Sequence, residues 1–145
     1  MAKIVCAAFI EDHRILLVRR APHRKWSPNR WDLVGGHVDK GERLDIALVR
    51  ECEEEVGLTP LHYQHVETIF EETDPLQKTP FHVYAIRLWR GGAPQLLGDE
   101  HSELGWFTLQ DAESIDFALE GYRPIFRQLL SGFQPAVQSV QPSAK

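Results

Sequence analysis

The sequence predicts one layered domain of the α/β or α+β class, and three observations carry that prediction. Strand-like apolar stretches come first, a helix-like stretch occupies the middle, and two more helix-like stretches close the chain. The length, 145 residues, matches one domain of ordinary size. Hydrophobic residues make up 43%, enough to bury a core without disulfide staples.

The elements follow in order. Lys3–Ile10 is apolar and rich in strand formers, Glu11-Asp12-His13 reads as a turn, and Arg14–Arg19 reads as a second strand. The basic, proline-bearing stretch from Arg20 to Arg30 is expected to be a loop. Trp31–Val34 forms a short strand that Gly35-Gly36 should break. Glu42–Val56 contains no Gly or Pro, and Gly57 stands where a helix places its C′ glycine. Leu44, Leu48 and Cys52 recur at i, i+4 and i+8 and form the expected inward stripe. Leu61–Glu71 and Phe81–Trp89 are expected strands, and Glu103–Phe107 a shorter one. Leu109–Leu119 and Tyr122–Leu130 are expected helices separated by Gly121. Residues 1–132 are expected to fold, and 133–145, with Pro135 and Pro142, to form a disordered tail.

Composition excludes several function classes. No apolar run approaches the ~20 residues of a bilayer span. Charges at Glu11 and Asp12 interrupt any signal-peptide core. Two cysteines, Cys6 and Cys52, cannot build a disulfide framework or a cysteine-rich zinc site. A soluble, cytoplasmic protein with no membrane partner is the expectation. The net charge of −5 argues against a nucleic-acid binder. That charge is unevenly spread: residues 1–30 carry seven Lys/Arg against two Asp/Glu, and the acidic excess lies beyond them.

The chemistry concentrates in the central helix. Glu51, Glu54 and Glu55 stand at i, i+3 and i+4, hence on one face. Like charges so spaced repel by about a few tenths of a kcal/mol per pair. They also crowd the helix C-terminus, where the dipole disfavours negative charge. A bound divalent cation removes both conflicts, and Mg²⁺ takes carboxylate oxygens while keeping waters for substrate phosphates. A solvated acidic face is the competing reading, and these three residues alone do not separate the two.

Their context does. From Gly36, five residues lead to Glu42 and seven more to Arg50, followed by Glu51, Cys52, Glu53, Glu54, Glu55, Val56, Gly57 and Leu58. This resembles the Nudix box, G-x5-E-x7-R-E-U-x-E-E-x-G-U, with U a bulky apolar residue. Cys52 at the first U position is the one departure, and cysteine packs as a small hydrophobe. Trp31-Asp32-Leu33-Val34-Gly35-Gly36 resembles the family's lead-in, with Val34 where proline is usual. The resemblance spans roughly residues 3–130.

The resemblance implies a Nudix fold, a mixed β-sheet sandwiched between α-helices. It implies Mg²⁺- or Mn²⁺-dependent hydrolysis of a nucleoside diphosphate linked to another moiety, such as a nucleoside triphosphate, an oxidised dNTP or a nucleotide sugar. Glu51, Glu54 and Glu55 become metal ligands, joined by the Gly35 carbonyl. Glu51 and Glu54 also become catalytic candidates, with Arg50 orienting a neighbouring glutamate and Glu42 tying loop to helix. Glu100, six residues before Trp106, has the spacing of an extra metal ligand or base in one branch of the family and is a catalytic candidate, with Glu103 the runner-up.

Substrate contacts are expected from Arg19 or Arg20, since arginine suits bidentate phosphate binding. Gly36 and His37 are expected to approach a phosphate, Trp26 to stack, and Tyr122 to stack on a base. The 8-oxo-dGTP branch commonly places asparagine where Tyr122 precedes Pro124, which weakens that assignment. Pro75 has roughly the spacing of a proline in the ADP-ribose branch. The partner is a small nucleotide-derived molecule, and because many relatives dimerise, the resemblance admits a homodimer. The alternative is a Nudix-fold nucleotide-binding or sensor module that no longer cleaves. Such modules usually lose a box glutamate, and this chain keeps them all. Isoprenoid-diphosphate isomerisation would need a reactive cysteine, and both cysteines sit in core patterns.

Overall fold

A computed structural model describes residues 2–131 apart from residue 75. The expected tail, 133–145, and Pro75 lie outside the described residues. Strand β1 (Ile4–Glu11) organises the sheet. It turns at Asp12 and His13, both with positive φ (53° and 61°), into β2 (Arg14–Arg20). Two consecutive left-handed residues match the twist of a tight hairpin.

The chain then loops through 21–30 and pairs β3 (Trp31–Asp32) with β2. The expected break at the diglycine does not occur. Instead β4 (Val34–His37) runs through Gly35 and Gly36 and pairs with β1, Cys6 opposite Gly35 and Val5 opposite Gly36. A side chain at Gly35 would strike the Val5 carbonyl, so close strand packing requires the glycine.

Helix α1 (Leu44–Val56) ends on Gly57 at φ 73°, as expected. It begins two residues later than expected, leaving Glu42 in the preceding loop. Leu48 and Cys52 are fully buried on its inner face. A Leu48→Ala change there would cost about 2–5 kcal/mol.

Strands β5 (Thr59–Asp74) and β6 (Gln77–Arg90) form a long antiparallel hairpin, and β6 lies parallel to β1. Strand β7 (His101–Phe107) pairs with β2. The helix expected over Leu109–Leu119 is a correction: only α2 (Leu109–Ala112) is helical. Beyond it Trp31 takes the backbone, donating to the Asp116 carbonyl at 2.9 Å and accepting from the Ala118 amide at 2.7 Å. These tertiary bonds replace helical ones, and the apolar run buries Phe117, Ala118 and Leu119 instead. Helix α3 (Tyr122–Leu129) closes the fold.

The sheet is mixed and covered on both faces. Val5, Ala7 and Phe9 pack beneath α1, while Cys6, Ala8 and Ile10 pack toward α2 and α3. The α/β/α sandwich expected of the fold is what the structure shows.

Candidate active site

A cavity of about 550 Å³ opens where β1, β3, β4, β6, α1 and α3 meet. Its acidic wall is the α1 face. Glu51 and Glu55 line it; Glu54 does not. Glu55 is buried, and its Oε1 accepts the Gly35 amide at 3.2 Å. Burial, reinforced by Glu51, pushes the Glu55 carboxyl up to about 9. Burial also raises Glu51, against the opposing pull of Arg50. The diglycine makes room, since a side chain at Gly36 would occupy the Glu51 carboxylate's place.

Arg50 organises this wall. It donates to Glu42 Oε2 and Oε1 at 2.8 and 2.9 Å, to Glu51 at 3.0 Å and to Glu54 at 3.2 Å. It also donates to the His37 carbonyl at 3.0 Å. Hydrogen bonds from Arg50, aided by the Asp39 amide, pull Glu42 down to about 2. Glu42 therefore ties loop to helix. Glu54 is exposed and engaged by Arg50.

The opposite wall comes from distant parts of the chain. Arg20 lines it, but its guanidinium is engaged: Nε donates to the Trp26 carbonyl at 2.7 Å, and Nη1 lies 3.5 Å from Asp32. Asp32 is buried at the cavity floor, accepting the Tyr122 hydroxyl at 2.6 Å and the Leu33 amide at 2.8 Å. Burial raises the Asp32 carboxyl. Arg24, Lys25, Phe81, Glu100 and His101 complete the lining.

Several expected substrate contacts change role. Arg19 is outside the cavity lining, paired with Glu103 at 2.9 Å and donating to the Asn29 carbonyl. Glu103 is thereby turned away, whereas Glu100 lines the cavity, 3.6 Å from Arg24. Tyr122 cannot stack on a base: its ring is fully buried against Phe126 and Phe117, and only its hydroxyl serves the cavity floor. Trp26 packs on Phe81 at 5.8 Å and beneath Arg20 at 4.8 Å, which makes it part of the cavity's frame. His37 and Gly36 do line the cavity, as does Gly35.

Asp32, Phe81 and His101 also line the cavity, although no sequence pattern marks them. Asp32 stood within the quoted lead-in, but nothing local marked it. Both cysteines are buried, and burial pushes their thiols far up, which does not favour the isomerase alternative.

The donor set suits a hard divalent cation. Two carboxylates share one wall, and among the described residues Glu55 has no cationic partner where burial makes ionisation costly. Among the described residues no three His, Cys, Asp or Glu groups converge to cage an ion unaided. That is expected of Mg²⁺, which is bound by one or two carboxylates and completes its shell with water and substrate phosphate.

A sandwiched mixed sheet carries an acidic helix face over a cavity that also collects basic residues, an arrangement suited to phosphoanhydride hydrolysis. The NUDIX domain model matches residues 2–129, and the chain belongs to this family as a Nudix pyrophosphohydrolase. It is 30% identical over 107 residues to the 8-oxo-dGTP diphosphatase of Escherichia coli, covering 74% of this chain and 79% of that one. It is 28% identical over 121 residues to the nucleoside triphosphatase NudI of Escherichia fergusonii, covering 78% and 86%. Among solved structures, a MutT NUDIX hydrolase from Burkholderia pseudomallei superposes with a TM-score of 0.77 at 29% identity, covering 88% and 96%. No described helix is long and apolar enough to cross a membrane.

Proposed function

We propose that the chain is a Mg²⁺- or Mn²⁺-dependent diphosphohydrolase of nucleoside triphosphates, with base-oxidised dNTPs within its range. The observation that carries this reading is Glu55: a buried carboxyl beside Glu51, facing a cavity whose other side carries Arg24 and Lys25. The relatives named 8-oxo-dGTP diphosphatase and nucleoside triphosphatase support the substrate class. Tyr122 does not count against base-oxidised substrates, because its side chain serves the floor and not a stacking site.

Glu51 and Glu55 would hold the cation, with the Gly35 carbonyl as a further donor. Once bound, the cation would neutralise phosphate oxygens and lower the pKa of an attacking water. Arg50 fixes the Glu51 carboxylate, and the Gly35 amide fixes Glu55. Arg24 and Lys25 take the remaining phosphate charge. Glu100 is the base best placed to remove the proton from water, since it lines the cavity and Glu103 does not. Glu54 reaches the cavity only by leaving Arg50, so its role follows those of Glu51 and Glu55.

The test is a substrate panel with Mg²⁺ and Mn²⁺: nucleoside triphosphates, 8-oxo-dGTP, ADP-ribose, nucleotide sugars and dinucleoside polyphosphates, with product analysis. The expected result is turnover of triphosphates, lost in Glu55→Gln and reduced in Glu100→Gln. Tight binding of one compound with equal inertness of wild type and Glu55→Gln would instead establish a binding module.

A further inference from the structure

His101 belongs to neither set of charges that shapes the cavity. It opens β7, and its backbone pairs with Arg20 across the register shift of β2, which fixes its place. Its side chain lines the cavity with Arg20, Arg24 and Trp26. Among the described residues, nothing hydrogen-bonds or stacks on its ring. The neighbouring arginines differ, since each is already engaged by a protein oxygen.

Burial pulls His101 down to about 4, with Arg24 and Arg20 pressing the same way and Glu100 opposing. The ring is neutral at pH 7. A neutral imidazole carries one N–H donor and one nitrogen acceptor. It adds no charge for a triphosphate, which Arg24 and Lys25 serve better. The two nitrogens point away from each other, so one of them can meet a single donor or acceptor on a nucleobase. A base that fails to match leaves the imidazole desolvated and unpaired, which penalises the wrong base more than the right contact rewards the correct one.

We propose that His101 hydrogen-bonds the base of the bound nucleotide and sets base preference. This rests on the nucleotide reading above and adds a residue to it. His101 lines the same cavity as Glu51 and Glu55.

The test compares wild type with His101→Phe, which keeps an aromatic ring, and His101→Gln, which keeps a donor and an acceptor. Binding of the four nucleoside monophosphates and of inorganic tripolyphosphate is measured without metal, alongside steady-state kinetics and Tm. The expected result is that His101→Phe weakens the preferred nucleotide about tenfold through KM and Kd, the loss of about one hydrogen bond. It should leave kcat within about twofold, narrow the spread among bases and leave tripolyphosphate binding unchanged. His101→Gln should restore part of the preference. Equal weakening of all four nucleotides and tripolyphosphate, unchanged affinity throughout, or no base preference in wild type would each overturn the proposal. Base-selective binding by a wild type that hydrolyses nothing would break the hydrolase reading and leave this one standing.

Discussion

The two walls of the cavity manage charge in opposite ways. Along α1, Glu55 has a backbone amide for a partner and, among the described residues, no cation, and Glu51 adds to its burden. Across the cavity, Arg20 is held by Asp32 and the Trp26 carbonyl, Arg24 by Glu100, and Arg19 outside the cavity by Glu103. On the first wall Arg50 engages Glu51 but not Glu55, so the buried position is suited to receive a positive charge. The second is paired within itself at Arg20, while Arg24, Lys25 and Glu100 face the cavity. Cation binding thus falls to the first wall, and phosphate charge and fit to the second.

The largest test of that division falls on the acidic wall. Glu55→Gln should lower kcat by about a hundredfold or more, beyond the 10–100-fold typical of groups that merely support a metal ligand. The same change should preserve or raise Tm above pH 7, because it removes a buried ionisable group lacking a cation. Steady-state kinetics and calorimetry check both.

The adjacent glycines sharpen the contrast between site and scaffold. A side chain at Gly36 meets only the movable end of Glu51, so Gly36→Ala should displace that carboxylate. It should cost about 10–100-fold in metal affinity with little loss of Tm. A side chain at Gly35 meets the backbone of Val5, so Gly35→Ala should chiefly lower Tm. Both variants need only metal titration and thermal unfolding.

A third prediction concerns pH. Folded Glu55 keeps its proton to about 9, whereas its ordinary value is 4.5. Between those values the folded chain holds a proton that the unfolded chain has lost. Metal-free stability should therefore be greatest below about 4.5 as far as this group is concerned, and fall as pH rises toward 9. The slope should be at most about 1.4 kcal/mol per pH unit. Urea titrations across this window should show it in wild type and not in Glu55→Gln.

The smallest effect belongs outside the cavity. Arg19 and Glu103 form a solvent-exposed pair, and such pairs contribute about 0–1 kcal/mol. Arg19→Ala should leave kcat/KM unchanged. A tenfold loss would return Arg19 to the phosphate site.

The same two walls differ in how far the sequence discloses them. The acidic wall is contiguous, from Gly36 to Leu58, and helical spacing alone puts Glu51, Glu54 and Glu55 on one face. Even so, spacing could not show that Arg50 would hold Glu54 outside the cavity. The other wall joins Arg20, Asp32, Phe81, His101 and Tyr122, whose meeting depends on the parallel β1–β6 pairing and on α3 packing. No local period encodes such pairing. The failed helix beyond Ala112 has the same origin, since the backbone of Trp31 competes for those residues from far along the chain. A polar aromatic such as Tyr122 near the site reads from sequence as a ligand contact, but its ring is fully buried.

The central claim is that Glu51 and Glu55 form a wall awaiting a divalent cation. Calorimetric titration of Mn²⁺ into the metal-free protein near pH 7, in two buffers of different ionisation enthalpy, tests it most directly. Saturable binding with release of a proton is expected, because Glu55 must ionise to bind, with loss of both in Glu55→Gln. Binding of equal strength in wild type and Glu55→Gln, with no proton released in either, would contradict it.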